Sequence, residues 1–261
     1  MKLTSSNNPK IKNIIKLQKS NERKNQKLFI VEGLKEISLA LNSGYKVHSI
    51  YAMDNYLKNK RIELIYEDIL YEVSEDVFNK ISYRGLSSSV IGIFHMQAKT
   101  ISNIHLKANP IIIVLESVEK PGNLGAILRT ADSAGIDAVI VCDMQTDIYN
   151  PNVIRSSRGC LFTTQLAQSN NEEVYQWLTS NKINIYSAAL TDKATSYHKI
   201  SFLGPTAIVF GTEDKGLSDF WLHNSHQNII IPMKGQADSL NVSVSAAIIV
   251  YEILRQRNQL F

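Results

Sequence analysis

Three stretches of this chain carry short polar side chains where a chain built only to fold would use a brief turn. The first is ESVEKPGNLGAILRTADSAG (116–135). Pro121-Gly122 sets a turn, Asn123 can cap the helix behind it, and Gly125 allows close backbone approach. Arg129 lies six residues past Asn123 and projects from about the second turn. The second stretch, IVFGTEDKGLSDFW (208–221), ends an apolar run in Gly211 and then presents Glu213, Asp214 and Gly216. A strand ending in glycine before an acid lets a ligand ring lie on bare backbone while the carboxylate meets a polar group. The third, IPMKGQADSLNVSVSAA (231–247), interleaves Gly235, Ser239, Asn241, Ser243 and Ser245 with Leu240, Val242 and Val244. Gly235 turns the chain, Ser239 and Asn241 offer donors and acceptors at fixed reach, and Ile231 and Leu240 supply apolar walls. Read singly, each stretch also suits a capped helix or a solvent-facing loop. Gly122 and Gly125 form only G-x-x-G, so the glycine fingerprint of a dinucleotide fold is absent.

The elements around these stretches alternate between strand and helix. In the second half NPIIIVLESV, DAVIVCD, INIYSAAL, TAIVFG and NIIIPM read as buried strands, with FTTQLAQ a weaker one. NLGAILRTADSAG, NPNVIRSSRG, NEEVYQWLTSN and a long segment from about Asn241 to Arg257 read as helices. This predicts an α/β domain with a mostly parallel sheet and helices on both faces. Ligands of such sheets bind beyond the carboxyl ends of the strands, where all three stretches fall. The first half predicts a smaller α/β unit: a helix over Pro9–Ser20, strands KLFIVEG and KVHSIYAM, the helix LKEISLALNSG, a strand-to-helix passage LYEVSEDVFNKIS, and the strand SSSVIGIFHMQ. The expected domains are 1–97 and 110–261, joined by a linker at 98–109.

The 261 residues are 44% hydrophobic and 20% charged, a globular composition. No apolar run is long enough to span a bilayer, and the basic N-terminus lacks the apolar core of a secretory signal. Cys142 and Cys160 form no disulfide framework or metal spacing; with His223 and His226 read as surface residues, no metal is expected and the cytoplasm is the expected location. The net charge of +4 is unevenly spread: residues 1–28 hold eight Lys/Arg against one acid. Lys10, Lys12, Lys16, Lys19, Arg23, Lys24 and Lys27 belong to that block, which reads as a phosphate-attracting surface or a solvated basic helix. Arg155 and Arg158 could extend it. Tyr45 and Tyr51 could stack bases, though core packing is the expectation.

In order and spacing the three stretches resemble the signature motifs of the SpoU family of RNA 2′-O-ribose methyltransferases. The first motif is matched at Asn123, Gly125, Arg129 and Ala131, and the second at Phe210, Gly211, Glu213, Gly216 and Leu217. The third is matched at Ile231, Pro232, Met233, Gly235, Ser239, Leu240, Asn241, Val242, Ser243 and Val244. The resemblance covers about Pro110 to Gln256, and the first half resembles the small RNA-binding domain often found ahead of that catalytic domain.

The resemblance implies a C-terminal trefoil knot, a homodimer and S-adenosylmethionine as cofactor. It places Ala188, Ala189, Leu190, Phe210, Gly211, Ile231, Met233, Gly235, Ser239 and Leu240 around that cofactor. It makes Arg129 the central catalytic residue, with Asn123, Glu213, Ser239 and Asn241 orienting Arg129, ribose or cofactor. The substrate implied is structured RNA, ribosomal RNA first and transfer RNA as the alternative. The competing readings are a non-catalytic RNA-binding protein that keeps the fold, and a dinucleotide-dependent oxidoreductase disfavoured by the missing glycines.

Overall fold

The computed structural model describes residues 2–53, 67–83, 85, 88–144 and 146–258. In chain order the elements begin β1 (Lys2–Leu3), α1 (Pro9–Leu17), α2 (Ser20–Gln26), β2 (Leu28–Glu32), α3 (Leu34–Asn42), β3 (Val47–Met53), β4 (Leu70–Val73), α4 (Glu75–Ile81) and β5 (Val90–His95). They continue β6 (Ile111–Glu116), α5 (Pro121–Ser133), β7 (Ala138–Cys142), α6 (Pro151–Ser156), α7 (Cys160–Thr163), β8 (Leu166–Ser169), α8 (Asn171–Ser180) and β9 (Asn184–Ala188). The last are β10 (Thr195–Ser196), β11 (Thr206–Phe210), α9 (Asp219–Asn224), β12 (Gln227–Ile230) and α10 (Val242–Gln256). No helix among the described residues is long and apolar enough to cross a membrane.

Contacts divide the chain into two compact units: Met1–Ala98 with Asp147–Thr163, and Lys99–Thr146 with Thr164–Phe261. The first holds a five-stranded sheet of order β1-β4-β3-β5-β2, in which β5 runs antiparallel to both its neighbours. Asn8 caps α1 by accepting from the Lys10 N–H at 2.9 Å, Pro9 presets the first turn, and Ile11, Ile14 and Leu17 are buried. Tyr45 and Tyr51 are buried too, so both pack in the core. Chain order assigns 147–163 to the second domain, but packing assigns it to the first. Phe29 stacks on Tyr149 with ring centroids 4.4 Å apart, and Tyr45 meets Phe162 edge-on. Arg155 and Arg158, both exposed, therefore belong to the first unit, and the Arg155 guanidinium lies 5.7 Å from the Tyr83 ring centre.

Arg23 corrects an expectation. It is 1% exposed, not part of a phosphate-facing surface. Its Nε donates to Asp147 Oδ2 at 2.7 Å, and its Nη1 donates to the carbonyls of Leu17 and Gln18 at 2.8 Å each. Its Nη2 pairs with Asp147 at 2.6 Å. The planar guanidinium satisfies three acceptors at once, which lets a charge stay buried. The other members of the basic block, Lys10, Lys12, Lys16, Lys19, Lys24 and Lys27, are exposed as expected.

The second unit is built on a seven-stranded sheet of order β10-β12-β9-β11-β6-β7-β8, parallel at every pair. β6, β7 and β11 are buried along their whole lengths, as strands covered on both faces must be. Residues 98–109, read as a linker, are tied to this unit: the Lys99 carbonyl accepts from the Gln168 N–H at 2.8 Å, and Ile101, Ile104 and Leu106 pack on its core. Cys142 is buried in that core, where burial pushes its thiol well above the usual range, and Cys160 is half-buried.

Removing one member of the Arg23–Asp147 pair strands a buried charge. Arg23→Ala and Asp147→Ala should each destabilise the full chain by about 3–5 kcal/mol. The double variant should lose far less than the sum, as measured by urea unfolding.

Candidate active site

Because every strand of the second sheet is parallel, the segments following β6, β9, β11 and β12 leave from the same edge. There they enclose a cavity of about 700 Å³. Ala188, Ala189, Leu190 and Thr191 line it from behind β9, and 210–217 from behind β11. Ile231, Met233, Ser239, Leu240 and Asn241 line it from behind β12. Every residue the sequence assigns to a cofactor does so except Gly235, which is exposed outside the lining. A smaller pocket adjoins it, sharing Lys120, Gly211, Glu213 and Val242 and adding Asn123.

Asn123, Glu213 and Asn241 are joined by hydrogen bonds. The Asn241 Nδ2 donates to Glu213 Oε1 at 2.8 Å and to Asn123 Oδ1 at 3.1 Å. The Asn123 Nδ2 donates to the same Glu213 oxygen, and the Lys120 ammonium donates to the other. Asn241 also caps α10, its Oδ1 accepting from the Ser243 N–H at 3.0 Å and the Ser243 hydroxyl at 2.6 Å. Lys120, then Asn123, hold the Glu213 carboxyl below the usual carboxylate range against the opposing effect of burial. A depressed carboxyl pKa keeps the group ionised at neutral pH, and the ion pair is lost only as pH falls through that lowered value.

Asn123 is not the cap of its helix. Pro121 starts α5 with its preset φ, so Lys120 holds the cap position and Asn123 falls inside the first turn, turned toward Glu213. Arg129 stands apart. It is exposed on α5, lines neither pocket, and forms no ion pair among the described residues. Ser239 lines the cavity from an exposed loop.

Gly211 has a structural cause beyond ligand access. The chain folds back at once: the Thr212 N–H donates to the Gly216 carbonyl at 3.0 Å and the Gly216 N–H returns to Thr212 at 3.1 Å. A Cβ on residue 211 would overlap the Gly216 peptide. This tight return carries Glu213 at its tip.

Two residues that matter here were not singled out from the sequence. Glu116 is the last residue of β6 and only 5% exposed. Its carboxylate accepts from the Ser218 N–H at 2.8 Å, the Ser218 hydroxyl at 2.6 Å and the Asn171 Nδ2 at 2.7 Å. It thus anchors the far end of the loop bearing Glu213. Its signal was an acid ending an apolar strand, since a buried acid needs donors around it. The other is Lys120, whose only signal was its place just ahead of Pro-Gly-Asn.

Residues 110–251 match the SpoU rRNA methylase family, and residues 8–92 match the MRM3-like substrate binding domain. The chain is similar to the 23S rRNA (guanosine(2553)-2'-O)-methyltransferase RlmP of Bacillus subtilis, 30% identical over 96% of this chain and 98% of that one. It is also similar to the 23S rRNA (uridine(2479)-2'-O)-methyltransferase of Streptomyces viridochromogenes, 29% identical over 91% and 86% of the two chains. Among solved structures, the AdoMet-bound rRNA methyltransferase of Sinorhizobium meliloti superposes with a TM-score of 0.89 at 28% identity, covering 98% of this chain and 97% of the other.

Because a Cβ at residue 211 would overlap the Gly216 peptide, Gly211→Ala should cost about 1–3 kcal/mol in denaturant unfolding. Hydrogen exchange should show the Thr212 and Gly216 amides losing protection first.

Proposed function

The chain belongs to the SpoU rRNA methylase family, and from that premise we propose that it transfers the methyl group of S-adenosylmethionine to a ribose 2′-oxygen of ribosomal RNA. The observation that carries this reading is the linkage of Asn123, Glu213 and Asn241 beside one large cavity. The three come from three separate motifs, and the sequence alone does not require them to meet.

The cavity suits the cofactor. Its volume of about 700 Å³ lies within the roughly 300–1,000 Å³ typical of small-molecule sites. Phe210, Ile231, Leu240 and Leu190 offer apolar walls to an aromatic base, and Ser239, Thr191 and Asp238 offer polar and charged contacts to a zwitterionic tail. Ala188, Ala189, Leu190, Phe210, Gly211, Ile231, Met233, Ser239 and Leu240 would hold it. S-Adenosylmethionine, when bound, supplies a methyl group already activated toward an oxygen nucleophile.

What remains for the protein is alignment of the 2′-hydroxyl and relief of the charge that builds on it. Asn123 and Asn241, fixed by Glu213, orient the ribose. Arg129 acts near the 2′-oxygen as a planar group with several donors. It stabilises the developing negative oxygen and grips the neighbouring phosphate. Its exposure, without an ion pair among the described residues, leaves it available for this.

RNA as partner is supported by the seven exposed lysines of the first 28 residues, whose attraction to phosphate is independent of sequence and weakens with salt. Ribosomal rather than transfer RNA fits the relatives matched along nearly the full chain. The reading includes cytoplasmic location and the trefoil knot. The strand order supports the knot, because β12 lies beyond β9 while α10 returns to pack on α5. It also includes a homodimer. Val244 and Tyr251, seven residues apart on one face of α10, are 45% and 44% exposed, and Leu240 extends the stripe.

S-Adenosylmethionine at about one hundred times its Kd should stabilise the protein by about 2.7 kcal/mol, seen as a rise in Tm. NAD should give no such shift. Arg129→Ala should keep the shift yet lose incorporation of labelled methyl into ribosomal RNA; full turnover in that variant would remove Arg129 from the chemistry. Tyr251→Glu should convert a dimer to a monomer in analytical ultracentrifugation, and an unchanged sedimentation coefficient would sink the α10 interface.

A further inference from the structure

We propose that Lys120 is a positioning residue of this site, holding the Glu213 carboxylate fixed and ionised so that the Asn123 and Asn241 carboxamides keep a single orientation. The inference rests on the methyltransferase reading for its consequence, but its geometry stands on its own. The orientation of each amide follows from a chain of donors and acceptors. The Ser243 backbone N–H can only donate, so the group it meets on Asn241 is the carbonyl oxygen. That places Asn241 Nδ2 toward Asn123 and Glu213, and makes the Asn123 atom facing it the carbonyl. Asn123 Nδ2 must then face Glu213. In this chain Glu213 Oε1 accepts twice, and with the Lys120 ammonium donating to Oε2 both oxygens act only as acceptors, which is the ionised carboxylate.

Lys120 is placed to secure that state. Its ammonium donates to Glu213 Oε2, the oxygen that neither amide uses. The backbone carrying it is pinned at the head of α5, directly before Pro121. The other charged groups lining the two pockets with Glu213 are Asp214 and Lys215 on its own loop, Glu119 beside Lys120, and Asp238 ahead of α10. Three of these four are acids. Without the Lys120 ammonium the carboxylate keeps two neutral donors among like charges, and its affinity for a proton rises. A proton on the vacated Oε2 removes the negative charge that strengthens both amide bonds to Oε1, so the hold on Asn123 and Asn241 loosens.

The test uses the full-length protein with Lys120→Met and Lys120→Arg. Carboxyl 13C NMR of Glu213 reads the titration without cofactor or RNA. In Lys120→Met the midpoint should rise by about one pH unit, and Lys120→Arg should restore it. The acid limb of kcat for methyl transfer should move up with it, while KM for RNA changes by less than about threefold. An unmoved midpoint would overturn the proposal. So would a raised KM for RNA with kcat and its acid limb unchanged, which would mark Lys120 as a phosphate contact instead. Wild-type protein that titrates normally but transfers no methyl group would overturn the functional reading itself, a result distinguishable from either of these.

Discussion

Parallel pairing throughout the seven-stranded sheet is the constraint on which the site depends. Each parallel strand ends at the same edge, and the chain must return behind the sheet before it starts another. The order β10-β12-β9-β11-β6-β7-β8 places β11 between β9 and β6, with β12 just outside β9. The segments after these four strands therefore become neighbours whatever their sequences. Burial of Ile112, Val114, Ala207 and Val209 to 0% exposure makes that edge a rigid platform. Long irregular loops can stand on it because closure entropy grows only with the logarithm of loop length.

Rigidity at the edge would be wasted if the loops themselves were loose, and two kinds of fastening prevent this. Glu116 binds the exit of the 211–218 loop through Ser218, and the paired amides of Thr212 and Gly216 bind its entrance. Glu213 is then carried on a loop held at both ends, and Asn123 and Asn241 meet it from the starts of two helices that pack on each other. Arg129 is handled differently. Its backbone is fixed in α5 and its side chain is exposed, outside this network of hydrogen bonds.

Much of this was legible in the sequence, and the omissions share a cause. Strands such as Ile111–Glu116 and Thr206–Phe210 announce themselves as unbroken apolar runs, and α10 as an apolar period behind Asn241. Helix α2 announces nothing. Its sequence, SNERKNQ, has no apolar stripe, and its one buried side chain is Arg23. It is held by an ion pair to Asp147, more than one hundred residues away, which no local pattern reveals. The same pair, with the packing of Tyr149 on Phe29 and Phe162 on Tyr45, ties 147–163 to the first unit although chain order places it in the second. The cavity lining was legible because motif glycines and short polar residues are unusual between a strand and a helix. Glu116 and Lys120 were not, because each acts through one partner distant in sequence, and a lone acid or lysine has no signature.

Positive charge near the N-terminus does two jobs that composition cannot separate. Arg23 is sealed inside by Asp147 and contributes to folding, while Lys10, Lys12, Lys16, Lys19, Lys24 and Lys27 face solvent. The distinction follows from side-chain chemistry: a planar guanidinium can satisfy several buried acceptors, whereas a compact ammonium holds its water more strongly. The field of the exposed lysines reaches about 8 Å at physiological salt, far enough to attract a polyanion but too diffuse to select one group on it. Choice has to come from groups that act only at contact distance and in one orientation, which is the property that the Ser243–Asn241–Asn123–Glu213 chain of hydrogen bonds possesses. Under the proposed function, attraction and selection therefore fall to different groups, so a change in the lysines should alter how readily RNA is captured and leave which oxygen is addressed to the carboxamides.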